Sequence, residues 1–188
     1  MPGAAGGPKA LGIQGLDLAL FGEWLPSAPR ERSLIGASVG SWRFASACLP
    51  DAAEGIRRLG QLYNAQSFAK GVTMAQISQS SRRMLEDLLE GRDASILDNP
   101  HYRLNIMVVK SHGLLADDHR GRLGLGLSSV IADNLRGRAR LARHFERLVL
   151  HDPRLAPPLH TLEDFPSRFV PLDLSLIHIS EPTRRYAI

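Results

Sequence analysis

Apolar and polar positions change period several times along the chain, and each change marks an element. Ile13, Leu16, Leu20 and Trp24 recur at helical spacing after Pro8, which predicts a helix over 9–24 that buries those four side chains. Pro26 and Pro29 end it. Ser33-Leu34-Ile35-Gly36-Ala37 is a short apolar run that reads as a strand, and Val39 to Leu49 reads as a buried helix stopped by Pro50. Asp51 and Glu54 have capping-box spacing and open a helix to about Gln66. Residues 73–90 carry the clearest amphipathic pattern, with Met74, Ile77, Met84, Leu85, Leu88 and Leu89, and Gly91 follows as a C-cap candidate. The segment 66–102 as a whole is a plausible insertion, or lid, over a site at the sheet edge.

Arg103 to Lys110 reads as a buried strand, 125–144 as an Arg-rich helix, and 145–150 as a strand or the end of that helix. A Pro-rich loop occupies 154–166, and Arg168 to Leu172 is a last short strand. Strands alternating with helices predict an α/β domain over 1–173. The expected architecture is a three-layer one, a sheet flanked by helices.

The tail is of another kind. Residues 174–184, Leu-Ser-Leu-Ile-His-Ile-Ser-Glu-Pro-Thr-Arg, resemble as a block the in-frame translation of a sequencing-library adaptor. Residues 174–188 are therefore read as an artefactual tail and set aside from fold reasoning. The native frame is expected to continue past Asp173, and only Met1 and Pro2 precede the first glycine loop. The domain is thus expected to be incomplete at both ends.

Composition adds little. Of 188 residues 44% are hydrophobic and 22% charged, which is ordinary for a globular domain. No apolar run approaches the about eighteen residues that span a bilayer. One cysteine, Cys48, excludes an internal disulfide and a multi-cysteine metal site, and its place in an apolar helix predicts an inert thiol. No histidine pair has zinc-protease spacing. Neither a metal nor a cofactor is expected. A net charge of +4 is too mild to predict a nucleic-acid partner. Arg136, Arg138, Arg140, Arg143 and Arg147 read as the solvated face of a helix whose other side holds Leu135, Ala139, Leu141 and Ala142. Trp24 and Trp42 read as core anchors. A cytoplasmic location is expected, with peripheral attachment to a membrane compatible.

Candidate chemistry centres on Gly36-Ala37-Ser38-Val39-Gly40, which fits G-x-S-x-G between a strand and a helix. That setting is what a nucleophile elbow requires. A serine on a tight turn projects its hydroxyl, while Gly36 and Gly40 leave room where strand and helix backbones crowd. The helix beginning at Val39 would aim its free N–H groups at negative charge near the serine. Gly6 and Gly7 lie in a second loop that opens a helix, where bare N–H groups can face a developing oxyanion. In parallel α/β sheets two such loops meet at the carboxyl edge.

On these residues the chain resembles the patatin-like phospholipases, in particular a bacterial subgroup. Their glycine-rich loop, G-G-G-x-[R/K]-G, is met here by Ala5-Gly6-Gly7-Pro8-Lys9-Ala10, with Lys9 on the basic position and Ala5 and Ala10 departing from the pattern. The subgroup's G-G-P-[R/K]-A loop and G-A-S-x-G-x-W elbow are matched closely, through Trp42. The sharp motifs lie in the first quarter of the chain. The resemblance implies a Ser–Asp dyad without histidine, with oxyanion donors at Gly6, Gly7 and Val39. It also implies an apolar acyl-ester or lipid substrate and peripheral membrane contact, with no nucleic acid. The family's aspartate stands in an Asp-Gly turn, and no aspartate here is followed by glycine; the base is expected beyond Asp173. Two alternatives stay open. One is a Ser-His-Asp hydrolase using one of His101, His112, His119, His144, His151 or His160, of which His112 is best placed. The other is a non-catalytic basic binding domain. Ala37, where malonyl-type acyltransferases carry histidine, argues against that class.

Overall fold

In a computed structural model the chain is described at residues 1–3, 6–116, 120–155, 167–173 and 186–187. It forms one mixed α/β sheet in the order β1 (Pro2–Gly3), β2 (Arg32–Ala37), β3 (Tyr102–Ser111), β4 (Phe145–His151) and β5 (Ser167–Pro171). β1, β2 and β3 run parallel, with Gly3 opposite Gly36 and Ala37 opposite Met107. β4 returns antiparallel to β3, and β5 is parallel to β4. A two-residue strand, β6 (Tyr186–Ala187), pairs with Val109 and Lys110 of β3. The rest of the suspected tail, and all of the Pro-rich loop except 154–155, lie outside the described residues.

Between β1 and β2 run a 3-10 segment (Gly7–Ile13), α1 (Gln14–Ala19), a π turn (Leu20–Trp24) and α2 (Leu25–Ser27). Between β2 and β3 come α3 (Val39–Ala47), α4 (Ala52–Ala65), α5 (Met74–Leu89) and α6 (Asp93–Asp98). Alternate residues of a strand share a face. Leu34, Leu104, Ile106, Val108, Leu148, Leu150 and Val170 therefore present one face of the sheet, and they share a single core with Phe21, Phe44, Ile56, Leu59, Leu85, Leu88 and Ile96 of the helical layer. Among the described residues the helices that share this core gather on that one face, and on the other face Asn105 and Val149 are fully buried as well.

Several local readings hold for their stated reasons. Asp51 caps α4 by accepting from the Glu54 N–H at 2.9 Å. The amphipathic run from 73 is α5, and its amino end carries a full capping box between Thr73 and Gln76 that the sequence reading did not name. That helix ends with Glu90 in the left-handed conformation, φ 48°, followed by Gly91 at φ 73°.

Other readings are corrected. The segment 9–24 does not bury Ile13, Leu16 and Trp24; Trp24 is 69% exposed, so it is no core anchor. The face that turns inward carries Ala10, Asp17 and Phe21 instead, because Asp17 has a cationic partner waiting inside and Phe21 packs edge-on against Phe44 and Tyr102. Trp42 is the buried indole, tilted against Tyr63. The region 66–102 is not a lid, since Met84, Leu85, Leu88, Leu89 and Ile96 belong to the main core. The Arg-rich helix ends early: α7 spans Arg120–Arg136, and a 3-10 turn, Arg138–Arg143, follows Gly137 at φ 147°.

Candidate active site

Ser38 sits between the end of β2 and the start of α3, with φ 54° and ψ −136°. L-amino acids rarely adopt this conformation, and holding it costs about 1–3 kcal/mol. Its surroundings impose it. A Cβ on Gly36 would lie 2.5 Å from the Ser41 nitrogen and 2.6 Å from the Gly40 carbonyl carbon, so strand and helix meet with no room for a side chain. The Ser41 N–H donates to the Ser38 carbonyl at 2.8 Å and closes the first turn of the helix. Val39 and Gly40 then lead α3 with N–H groups that have no intrahelical acceptor. Ser38 itself is half-buried.

Gly6 and Gly7 follow β1, and Gly3, the last residue of β1, pairs with Gly36, two residues before the serine. Both loops therefore leave the sheet at its carboxyl edge, and the 3-10 segment packs against α3. Gly7 has φ 53°, a conformation suited to glycine, and is half-buried; Gly6 and Lys9 are exposed. The structure thus brings Gly36, Ser38, Val39 and Gly40 into one turn and sets the loop of Gly6, Gly7 and Lys9 on the neighbouring strand.

A residue pair that sequence reading missed ties these loops together. Arg43, one turn into α3, makes two 2.6 Å hydrogen bonds to the Asp17 carboxylate from its Nε and one terminal nitrogen. Both side chains are nearly buried, 11% and 5% exposed. A bidentate pair of this kind fixes orientation as well as distance. It locks the helix that follows the glycine loop onto the helix that follows Ser38. The available signal was Asp17 itself, a lone acid on an otherwise apolar face. Beside this pair lies a cleft of ≈ 510 Å³ lined by Gly6, Lys9, Ala10, Leu16, Leu20 and Phe44, among others.

No hydrogen bond joins Ser38 Oγ to an acid or a histidine among the described residues. An acid–histidine pair in the chain order of a Ser-Asp-His triad does exist: His144 Nε2 is 2.9 Å from Asp133 Oδ2. This hydrogen bond holds the Asp133 carboxyl below the ordinary carboxylate range. His144, however, stands at the level of Ser111 and His112, whereas Ala37 pairs with Met107. Four further residues of strand put it about 13 Å along β3 from the elbow, at about 3.3 Å per residue. His112, the favoured histidine from sequence, lies 3.7 Å from Glu146 and is half-buried. His101 is exposed at the opposite edge, at the start of β3, and His151, at the end of β4, lies at that edge too, directing its Nδ1 to the Asp152 carbonyl. His119 and His160 are outside the described residues.

Cys48 is fully buried at the far end of α3, and burial first of all pushes its thiol up to about 12, which accords with an inert role. Among the described residues no helix is long and apolar enough to cross a membrane. Set beside family models, curated proteins and solved structures, the chain matches none of them.

Proposed function

We propose that the chain carries the nucleophile and oxyanion half of a serine acyl-ester hydrolase of the patatin-like kind, acting on an apolar acyl ester or lipid. The observation that carries this reading is the backbone of Ser38. A positive φ at a non-glycine residue, placed between a parallel strand and the helix that follows it, is the strained turn that a nucleophile elbow requires. Ser38 Oγ would attack the ester carbonyl. The oxyanion would be met by the Val39 N–H, supported by the positive end of α3, and by N–H groups of Gly6 and Gly7. Collapse of the tetrahedral intermediate would expel the alcohol and leave an acyl-serine, which water then hydrolyses.

The base in this reading is an aspartate in an Asp-Gly turn, a dipeptide that the sequence does not contain. The three-layer patatin-like architecture is part of the same proposal. The experiment uses protein expressed from its native gene, with hydrolysis of nitrophenyl esters of graded chain length as readout. The reading requires that Ser38→Ala abolish turnover with the fold intact. Undiminished turnover in that variant would refute it.

A further inference from the structure

The excursion between β3 and β4 does not bury what its sequence pattern says it should. An ordinary solvated helix would turn Leu135 inward and its arginines outward. In the structure Leu135 is 83% exposed, Ile131 is 62% exposed and Leu127 is 50% exposed. These three stand at i, i+4 and i+8 and form one stripe along α7. The packed side of the helix lies elsewhere: Gly126 is buried, and a Cβ there would come within 3.0 Å of the Leu115 side chain. α7 packs against the 3-10 turns on either side of it, Gly113–Ala116 and Arg138–Arg143.

Charge decides what would cover the stripe. Directly past Leu135 come Arg136, Arg138, Arg140 and Arg143, all exposed. Over 121–143 the sole acid is Asp133, which is already engaged by His144 and lies 3.9 Å from Arg140. A helix with an apolar stripe on one side and uncompensated arginines at its end fits a surface that is apolar inside and anionic outside. A protein partner would need a groove with an acidic rim; a bilayer with anionic headgroups supplies both layers without one.

We infer that α7 and the following 3-10 turn form a docking surface for an anionic lipid bilayer, with Leu127, Ile131 and Leu135 entering the acyl boundary and Arg136, Arg138 and Arg143 on the headgroups. The excursion leaves from the carboxyl end of β3, the same sheet edge that holds Ser38. The inference does not rest on the hydrolase reading, because it uses no residue of the elbow.

Flotation of the full chain with phosphatidylcholine vesicles, with and without equimolar phosphatidylglycerol, tests it. The chain should float with the anionic vesicles and not with the neutral ones, and added salt should release it. Each arginine near such a surface contributes about fivefold in affinity, so Arg136→Gln/Arg138→Gln/Arg143→Gln should weaken binding about 100-fold. Leu127→Ser/Ile131→Ser/Leu135→Ser should abolish it. These positions are exposed, and an unchanged circular dichroism melt would show that the fold survives. Ser38→Ala should bind as the parent does, which separates this surface from the elbow. Failure to float with anionic vesicles overturns the inference. So does equal binding by the leucine variant, or a stable dimer that this variant dissociates in the absence of any vesicle binding.

Discussion

At the amino ends of β2 and β3 one connected side-chain network braces five segments, whereas at the carboxyl ends of the same strands the serine turn rests on close backbone packing beside the single Arg43–Asp17 pair, and apolar and cationic side chains face outward. The braced end centres on Asp152, which is fully buried and accepts from Arg154 through the backbone N–H and two guanidinium nitrogens, at 2.8, 2.9 and 2.7 Å. Arg154 reaches on to the Asn99 carbonyl, which also accepts from Arg103; Arg103 pairs with Glu31 at 2.6 Å, and Asn99 donates to the Cys48 carbonyl. Five segments meet in that network. At the other end stand a strained serine, two glycine loops and a cationic, apolar excursion. One edge holds the fold together, and the other carries the surfaces free to act on something outside it. That division is expected where ligands bind beyond the carboxyl ends of parallel strands.

The comparison can be broken at either edge. The largest expected effect is at the elbow: Ser38→Ala should lower ester turnover by about a thousandfold or more while leaving thermal stability almost unchanged. Ser38→Gly should be equally inactive yet more stable by about 1 kcal/mol, because glycine relieves the positive φ. A serine that was merely structural would leave turnover intact in both variants, whatever the gain in stability.

Next come the ion pairs. Asp152→Ala should destabilise by about 3 kcal/mol in denaturant unfolding, since it strips the partner from a network anchored in the interior. Asp17→Ala should cost a similar amount and, unlike Asp152→Ala, should also lower turnover, because it frees the glycine-loop helix from α3.

Smaller effects sharpen the picture. Cys48, held protonated by burial, should resist alkylation at pH 8 in the native protein and react on unfolding; rapid native labelling would contradict the packing of α3. Asp133, with its carboxyl pulled below the ordinary 3.8, adds stability that is present above about pH 4 and is lost as pH falls through its folded value. His144→Ala should therefore flatten the acid limb of α7 melting, followed by circular dichroism.

How far the sequence revealed this division depends on the kind of force involved. The elbow was legible because its requirements are local: an apolar strand, glycines where backbones touch and an apolar helix are all contiguous. The cap at Asp51 was legible for the same reason. The buried face of 9–24 was misread because helical spacing alone ranks Leu16 and Trp24 above an aspartate. Only a distant arginine, Arg43, makes Asp17 the inward residue. Leu135 was misassigned in the same way, since periodicity says which residues share a face but not whether anything covers that face. The Asp152 network joins residues far apart in sequence and left no local trace.

The central claim is that the strained turn at Ser38 exists for catalysis. Its most direct test is fluorophosphonate labelling of the protein expressed from its native gene, followed by peptide mass spectrometry. The account predicts one phosphonyl adduct, on Ser38, formed in step with loss of ester hydrolysis and absent from Ser38→Ala. Hydrolysis that persists with Ser38 unmodified, or an adduct on another residue that accompanies its loss, would contradict it.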